Sequence, residues 1–409
     1  MSDWQEVYLK DVYDIGSGLS KPAEDFGSGF PFLSFKEVFN NFFVPKQLSE
    51  LVQATEKERL QCSIKRGDVF LTRTSETVKE LGMSCVALKD YENATFNGFT
   101  KRLRPKENVD IVPEYAGYYF RTSKFRKEVT AMSSASTRAS LNIEMIGRLK
   151  IILPSKSEQS AIALTLKNLD DKIENLRQQN ETLEQIAQTL FKHWFVDFEF
   201  PNADGKPYKS FGGAIDDIPE GWKVGKLGDI GENIRDGVKE SDIKPDMSYI
   251  GLEHIPRKQI ALDTWGTAVD IASNKFWFNK GNILFGKLRP YFHKVGIAFT
   301  SGVCSTDILV IDSNQKNYFG LLLMLLSSEQ FIYYVSLASE GTRMPRTSWE
   351  YMKDYSIVIP QSLVIESFNN LLTPFIKKME INIYQIQSLT KTRNSLLPKL
   401  MSGQLRIGE

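Results

Sequence analysis

Histidine and cysteine are scarce in this chain, three of each among 409 residues. Cys62, Cys85 and Cys304 lie far apart and are odd in number. They compose neither a disulfide framework nor a thiolate metal site, and they suit a reducing compartment. With no histidine pair at ligand spacing and no Ser/His/Asp or Cys/His pattern, no metal and no catalytic residue is expected. Charge of one sign is lacking too: 51 basic and 50 acidic residues leave a net +1, so an acidic polymer would have to be gripped by local patches. Long hydrophobic runs are missing. The most apolar stretch, "YFGLLLMLLSS" at 318–328, falls short of the roughly 18 to 20 residues that cross a bilayer. The opening "MSDWQEVYLKDVYD" does not read as a secretory signal. A cytoplasmic protein with no membrane partner is expected. The G-x-x-x-x-G-K-[ST] phosphate loop is absent as well.

What is present is a repeat. "WQEVYLKDVYDIGSG" from Trp4 parallels "WKVGKLGDIGENIRDG" from Trp222; "IKRGDVFLTRT" at 64–74 parallels "FNKGNILFGKLRP" at 278–290; "SASTRASLNIEMIGRLKIILP" at 134–154 parallels "SEGTRMPRTSWEYMKDYSIVIP" at 339–360. A period above two hundred residues is a duplicated domain rather than a solenoid. The length alone already calls for more than one core. Short β-rich runs alternating with Gly, Asn and Asp turns, then helical stretches late in each half, predict an α/β or α+β domain at 1–154 and another at 201–360. Spacer helices are expected at 155–200 and 361–409.

The helices carry the clearest periodicity. Leu166, Leu169, Ile173, Leu176, Asn180, Leu183, Ala187, Leu190 and Trp194 recur at steps of three and four. Leu372, Phe375, Met379, Asn382, Ile386, Leu389, Arg393, Leu396 and Leu400 do the same, aligned from Leu169 and Phe375 onward at an offset of 206. Such a seam is that of a coiled coil. Pro374 predicts a restart or kink. Asn180, Asn382 and Arg393 interrupt the seam, either at solvent edges or as buried register markers. "LFKHWFVDFEFP" at 190–201 ends the first helix in a run of aromatics around His193. Without a nucleophile or second ligand near it in sequence, His193 reads as structural. The aromatics read either as a plug that fixes the helix end against the next domain or as a patch that docks a partner.

If the helices pair with each other, chain order makes them antiparallel and puts the two domains at opposite ends, about a pseudo-two-fold axis. Unlike heads of this kind would suit two different short words on a duplex, separated by an unread gap of about 6–8 base pairs.

"LFKHWFVDFEFP", "SLLPKLMSGQLRI", "GWKVGKLGDI" and the paired loops "STRASLN" and "GTRMPRTSW" resemble the specificity subunit of type I restriction–modification systems, and "GNILFGKLRPY" and "GDVFLTRTSET" resemble pieces of its target recognition domains. The likeness runs through essentially the whole chain. It implies two α/β target recognition domains joined by antiparallel helices and a gapped, asymmetric double-stranded DNA target. It also implies two adenine-methylating modification subunits as partners, with restriction subunits joining them. S-adenosylmethionine, ATP and magnesium would then sit on those partners, and this chain would bind no cofactor.

Base edges in the major groove call for Arg, Lys, Asn, Gln, Ser and Thr, and phosphates for Lys and Arg. In the first half the candidates are Arg73, Thr74 and Ser75, then Lys101 and Arg102, then Arg138 and Ser140. In the second half they are Lys287 and Arg289, then Arg343, Arg346 and Thr347. For any one of them a solvated strand cap is the ordinary reading. Recurrence of an arginine-bearing polar loop in both halves favours a functional one for Arg138 and Arg343. A methyltransferase would carry an Asp/Asn-Pro-Pro-aromatic tetrapeptide and a glycine-rich donor loop, and neither is found. The expected function is therefore a non-catalytic DNA-recognition subunit. A free-standing sequence-specific regulator is the alternative, followed by an enzyme of unrecognised type.

Overall fold

Two helices of 40 residues each, Lys156–Phe195 and Ser362–Met401, organise the chain. This computed structural model describes residues 4–75, 80–132, 139–200, 218–269, 271, 273–337 and 344–407. Ser155 starts the first helix with a capping box: Glu158 N–H donates to Ser155 Oγ and Ser155 N–H to Glu158 Oε2, both at 3.3 Å. Two otherwise orphaned donors are thereby satisfied. The second helix runs unbroken through Pro374 and Pro398, so the expected restart at Pro374 does not occur. A proline there removes one backbone donor, while the neighbouring Leu372, Phe375 and Ile376 pack into or against a large apolar core.

Contacts divide the chain into two units, Met1–Asp171 with Thr390–Glu409, and Lys172–Leu389. Each long helix thus gives one part of its length to each unit. Within the first unit Arg393 meets Asp170 at 2.6 Å and Arg406 meets Glu158 at 3.5 Å. Within the second, Asn382 meets Asn180 at 2.8 Å and the rings of Phe368 and Trp194 meet at 5.7 Å. In both, numbers rise along one segment as they fall along the other, which makes the pairing antiparallel. Along the seam Ile173, Leu176, Asn180, Met379, Asn382 and Ile386 are buried; Leu169, Leu183, Leu190, Phe375, Leu389 and Leu396 are half-buried.

The two units share a topology. In the first, a four-stranded antiparallel sheet has the order Tyr13–Ser17, Thr100–Pro105, Val69–Thr72, Ser84–Val86; in the second the order is Gly231–Ile234, Ile308–Ser313, Ile283–Gly286, Val295–Ile297. A second sheet in each contains one parallel pair, Phe32–Leu33 with Thr95–Phe96 and Tyr249–Ile250 with Val303–Cys304. An antiparallel ribbon closes each domain, Gln5–Tyr8 on Lys150–Leu153 and Lys223–Lys226 on Ser356–Ile359. The domains are α+β, with helices Pro113–Tyr119 and Ser123–Met132 in one and Phe319–Leu326 and Glu329–Leu337 in the other.

The aromatic end of the first helix is a plug. Phe195, Phe198 and Phe200 surround Trp222 with centroids at 5.9, 5.5 and 4.9 Å, and Phe195 and Trp194 both meet Phe368. All of these rings are buried. Phe198 takes the left-handed backbone (φ +57°), a conformation that glycine commonly supplies past a helix end, and ring burial offsets that strain. His193 stays exposed and bonds Glu199 at 2.9 Å.

Candidate nucleic-acid interface

In the first unit, strand Val69–Thr72 leaves its sheet at Arg73. The next two residues pair antiparallel with Ala139–Ser140, Thr74 opposite Ser140 and Ser75 opposite Ala139. Two backbone bonds fix the crossing: Leu141 N–H donates to Arg73 O at 2.8 Å, and Arg73 N–H to Phe99 O at 3.0 Å. Segments about 65 residues apart in sequence become neighbours. Arg73 makes no ion pair among the described residues, and its Nε is buried without a partner.

The second unit repeats the crossing. Thr347 N–H donates to Lys287 O at 3.0 Å, Lys287 N–H to Asp307 O at 2.9 Å, and Leu288 bridges Arg346 antiparallel. Ser140 and Arg346 are therefore equivalent at the same offset of 206, and so are the helix caps that follow. Asn142 accepts from Met145 N–H and Ser348 from Tyr351 N–H. The side chains differ. Arg346 is held by Asp307 at 3.0 and 3.4 Å, a contact that also keeps the guanidinium above its ordinary pKa. Thr347 is buried with Oγ1 unpartnered, and Arg289 Nε is likewise buried and unpartnered, among the described residues. Buried donors and acceptors are seldom left unmade. One at the first crossing (Arg73) and two at the second (Arg289 and Thr347) are consistent with surfaces completed by a polar ligand.

Backbone strain gathers beside it. Of the five non-glycine residues with left-handed φ among those described, three belong to one region: Arg289 and His293 flank the turn Pro290–Phe292, and Lys258 N–H donates to His293 O at 2.9 Å. Such conformations persist where surrounding structure imposes them, often at binding sites. The guanidiniums of Arg257 and Arg289 lie 3.9 and 5.8 Å from the Phe292 ring, and neighbouring Tyr291 is exposed.

Not every candidate cation faces outward. Lys101 is buried on strand Thr100–Pro105, its ammonium donating to Ser17 Oγ at 2.6 Å. Burial and the charge of Arg73 lower its pKa. Arg102 donates to the carbonyls of Ser63 at 2.7 Å and Gln61 at 3.2 Å, and burial lowers its pKa. Both are employed inside the fold, which corrects their assignment to the DNA surface: pairing of their strand with Tyr13–Ser17 sets Lys101 against Ser17, and Arg102 reaches the segment at 61–63. Ser140 is exposed, Thr74 and Lys287 are half-buried, and Lys287 makes no ion pair among the described residues. Arg138, Arg343 and the side chain of Ser75 lie outside the described residues. Phe99 and Asp307 were not foreseen. The "NG" turn before Phe99 marks a loop, but its bond to Arg73 is not local. Among the described residues no cluster of three or more His, Cys, Asp or Glu could hold a metal. The three cysteines are buried thiols, with Cys304 pushed up to about 12 by burial. No single described helix is long and apolar enough to cross a membrane.

Residues 1–185 match the model of the Type I restriction modification DNA specificity domain. The chain is 30% identical to the type I restriction enzyme MjaIX specificity subunit of Methanocaldococcus jannaschii, over all of this chain and 94% of that protein. It is 24% identical to the HindI specificity subunit of Haemophilus influenzae, over 99% of this chain and 100% of the relative. The crystal structure of the type I restriction–modification S subunit from M. genitalium is similar in fold, with a TM-score of 0.55 at 13% identity, covering 98% of this chain and 96% of that one.

Proposed function

The chain belongs to the family of type I restriction enzyme specificity subunits, and from that premise we propose that its two units each read one word of an asymmetric, bipartite DNA target. It is the non-catalytic recognition subunit, and adenine methylation and cleavage belong to modification and restriction subunits that assemble on it. Two copies of the modification subunit match two half-targets. S-adenosylmethionine, ATP and magnesium are then required by those partners and not by this chain, and the complex works in the cytoplasm.

The observation that carries the reading is the crossing of arms found in both units, with the same backbone bonds and different side chains. Arg73, Thr74, Ser75 and Ser140 stand at one crossing, and Lys287, Arg289, Arg346 and Thr347 at the other. A shared scaffold with unlike polar side chains is what two unlike words need, because each base pair presents its own donor and acceptor pattern in the major groove.

The test is to co-express the chain with a candidate modification subunit, purify the complex and map methylated adenines in the host DNA. Methylation confined to a two-part motif with an unread gap is expected. A continuous motif, or methyl transfer by the isolated chain, would overturn the reading. Duplex binding with no modification subunit captured would favour the free-standing regulator.

A further inference from the structure

Phe99 occupies the position in the first unit that Asp307 occupies in the second. The same backbone bond identifies both: Arg73 N–H donates to Phe99 O, and Lys287 N–H to Asp307 O. In the second unit the side chain at this position grips Arg346. In the first, the residue equivalent to Arg346 is Ser140, and in place of the aspartate stands a phenyl ring that is 58% exposed.

A lone exposed phenylalanine is ordinary on a protein surface, so the case rests on how the ring is held and what surrounds it. Asn97 Oδ1 accepts the Phe99 N–H at 2.7 Å, and Asn97 O accepts both Thr100 N–H at 3.0 Å and Thr100 Oγ1 at 2.7 Å. Gly98 N–H donates to Leu19 O at 2.8 Å. A Cβ at Gly98 would lie 2.2 Å from Ser20 Oγ, so the turn is packed against its neighbour and the ring is presented by a braced backbone. The charge beside it is that of Arg73, whose N–H bonds the Phe99 carbonyl and whose guanidinium makes no ion pair among the described residues. An apolar ring beside an unpaired cation suits a ligand that carries anionic groups and apolar spots together. Duplex DNA offers both, with phosphates flanking the C5-methyl of thymine in the major groove.

We propose that Phe99 is a specificity-determining residue of the first unit, making apolar contact with the methyl group of one thymine in its half-target. The idea rests on the DNA-reading function proposed above. It assigns the two units different chemistries at one structural position, a methyl contact in the first and an aspartate-oriented arginine in the second.

Replacing thymine by deoxyuridine removes the methyl and nothing else. The complex with its modification subunit is titrated, at one salt concentration, against the mapped target and against duplexes carrying deoxyuridine at each thymine in turn. Wild-type affinity should fall about fourfold at one thymine of one half-target, the effect of one lost methyl contact. Phe99→Ala should bind the natural target about as weakly as wild type binds that substituted duplex. It should be indifferent to deoxyuridine there and retain wild-type discrimination elsewhere. Phe99→Leu should keep part of the methyl dependence, and both variants should unfold at the wild-type temperature. A Phe99→Ala complex that follows wild type at every thymine, or weakens on all duplexes alike, would overturn the proposal, as would the absence of thymine from that half-target. A wild-type complex that does not distinguish its target from random duplex would instead defeat the DNA-reading function itself.

Discussion

Arg346 and Arg121 carry the same guanidinium into opposite surroundings. Arg121 is lowered to about 10 by burial and bonds the carbonyls of Val38, Phe39, Asn41 and Ser84, so it holds the first domain together. Arg346 is half-exposed and oriented by one carboxylate. A guanidinium braced in this way can pair bidentately with guanine, at about 1–3 kcal/mol of discrimination. Arg346→Ala should therefore lose affinity at one base position of the second half-target with little change in stability, as read by band shifts on single-base variants. Uniform loss on all duplexes would make it a phosphate contact. Glu184 is a second residue whose surroundings set its behaviour. Burial on the first long helix raises its carboxyl to about 7, above the ordinary 4.5, although it accepts the Ile260 N–H at 2.9 Å. Glu181 adds to the rise, and the nearby Arg177 is taken by Asp263 at 2.7 Å. Between pH 4.5 and 7 the folded state keeps a proton that the unfolded chain has released, so stability falls as pH rises through that window, by an amount on the order of 3 kcal/mol. Glu184→Gln should flatten this dependence in urea unfolding at pH 5 and pH 8. An unchanged slope would assign it to other groups.

At the scale of elements, the two domains dock on the long helices through different chemistry at equivalent places. In the first unit Tyr118 Oη donates to Asp170 Oδ2 at 2.7 Å, and Arg393 Nη1 to Asp170 Oδ1 at 2.6 Å. At the offset of 206 these three positions become Met324, Ile376 and Ala187 of the second unit, all within or against its apolar core. Removing one member of the polar set strands the others: Asp170→Ala should lower stability by about 2 kcal/mol. Installing the apolar set (Tyr118→Met, Asp170→Ile and Arg393→Ala together) should leave stability within about 1 kcal/mol of wild type. Denaturant midpoints decide this. A triple variant as unstable as the single would show that the polar contacts themselves supply the stability. The buried Asn180–Asn382 pair belongs to the same scale. Placed in the seam with Asn382 Oδ1 unpartnered among the described residues, it favours one register over tighter packing.

For the whole molecule, duplication followed by divergence explains why the backbone bonds recur while the side chains do not. If each unit reads its own word, lesions in the two should be independent. Phe99→Ala and Arg346→Ala should alter opposite halves of the methylated motif, and their affinity losses should add within about 0.5 kcal/mol in the double variant. Coupling much larger than that, or a change in both words from either substitution, would contradict separate reading.

The sequence by itself determined the repeat, the mixed helix-and-strand character, the two long helices and, given that they pair, their antiparallel sense, because periodicities of three to four and a fixed offset of 206 are written in local order. It also located both arms of each crossing, since polar loops after a β run are local signals. The restart foreseen at Pro374 was a local inference, and the helix continues through it. Tertiary structure decided the rest. Lys101 and Arg102 look like any other cations in the sequence, and strand pairing is what turned them onto Ser17 and Ser63. Phe99 drew no attention in the sequence, and only its backbone bond to Arg73 places it at the crossing. Which side chains are employed within the fold and which remain free to meet a ligand depends on partners distant in sequence, and only the folded chain brings those partners together.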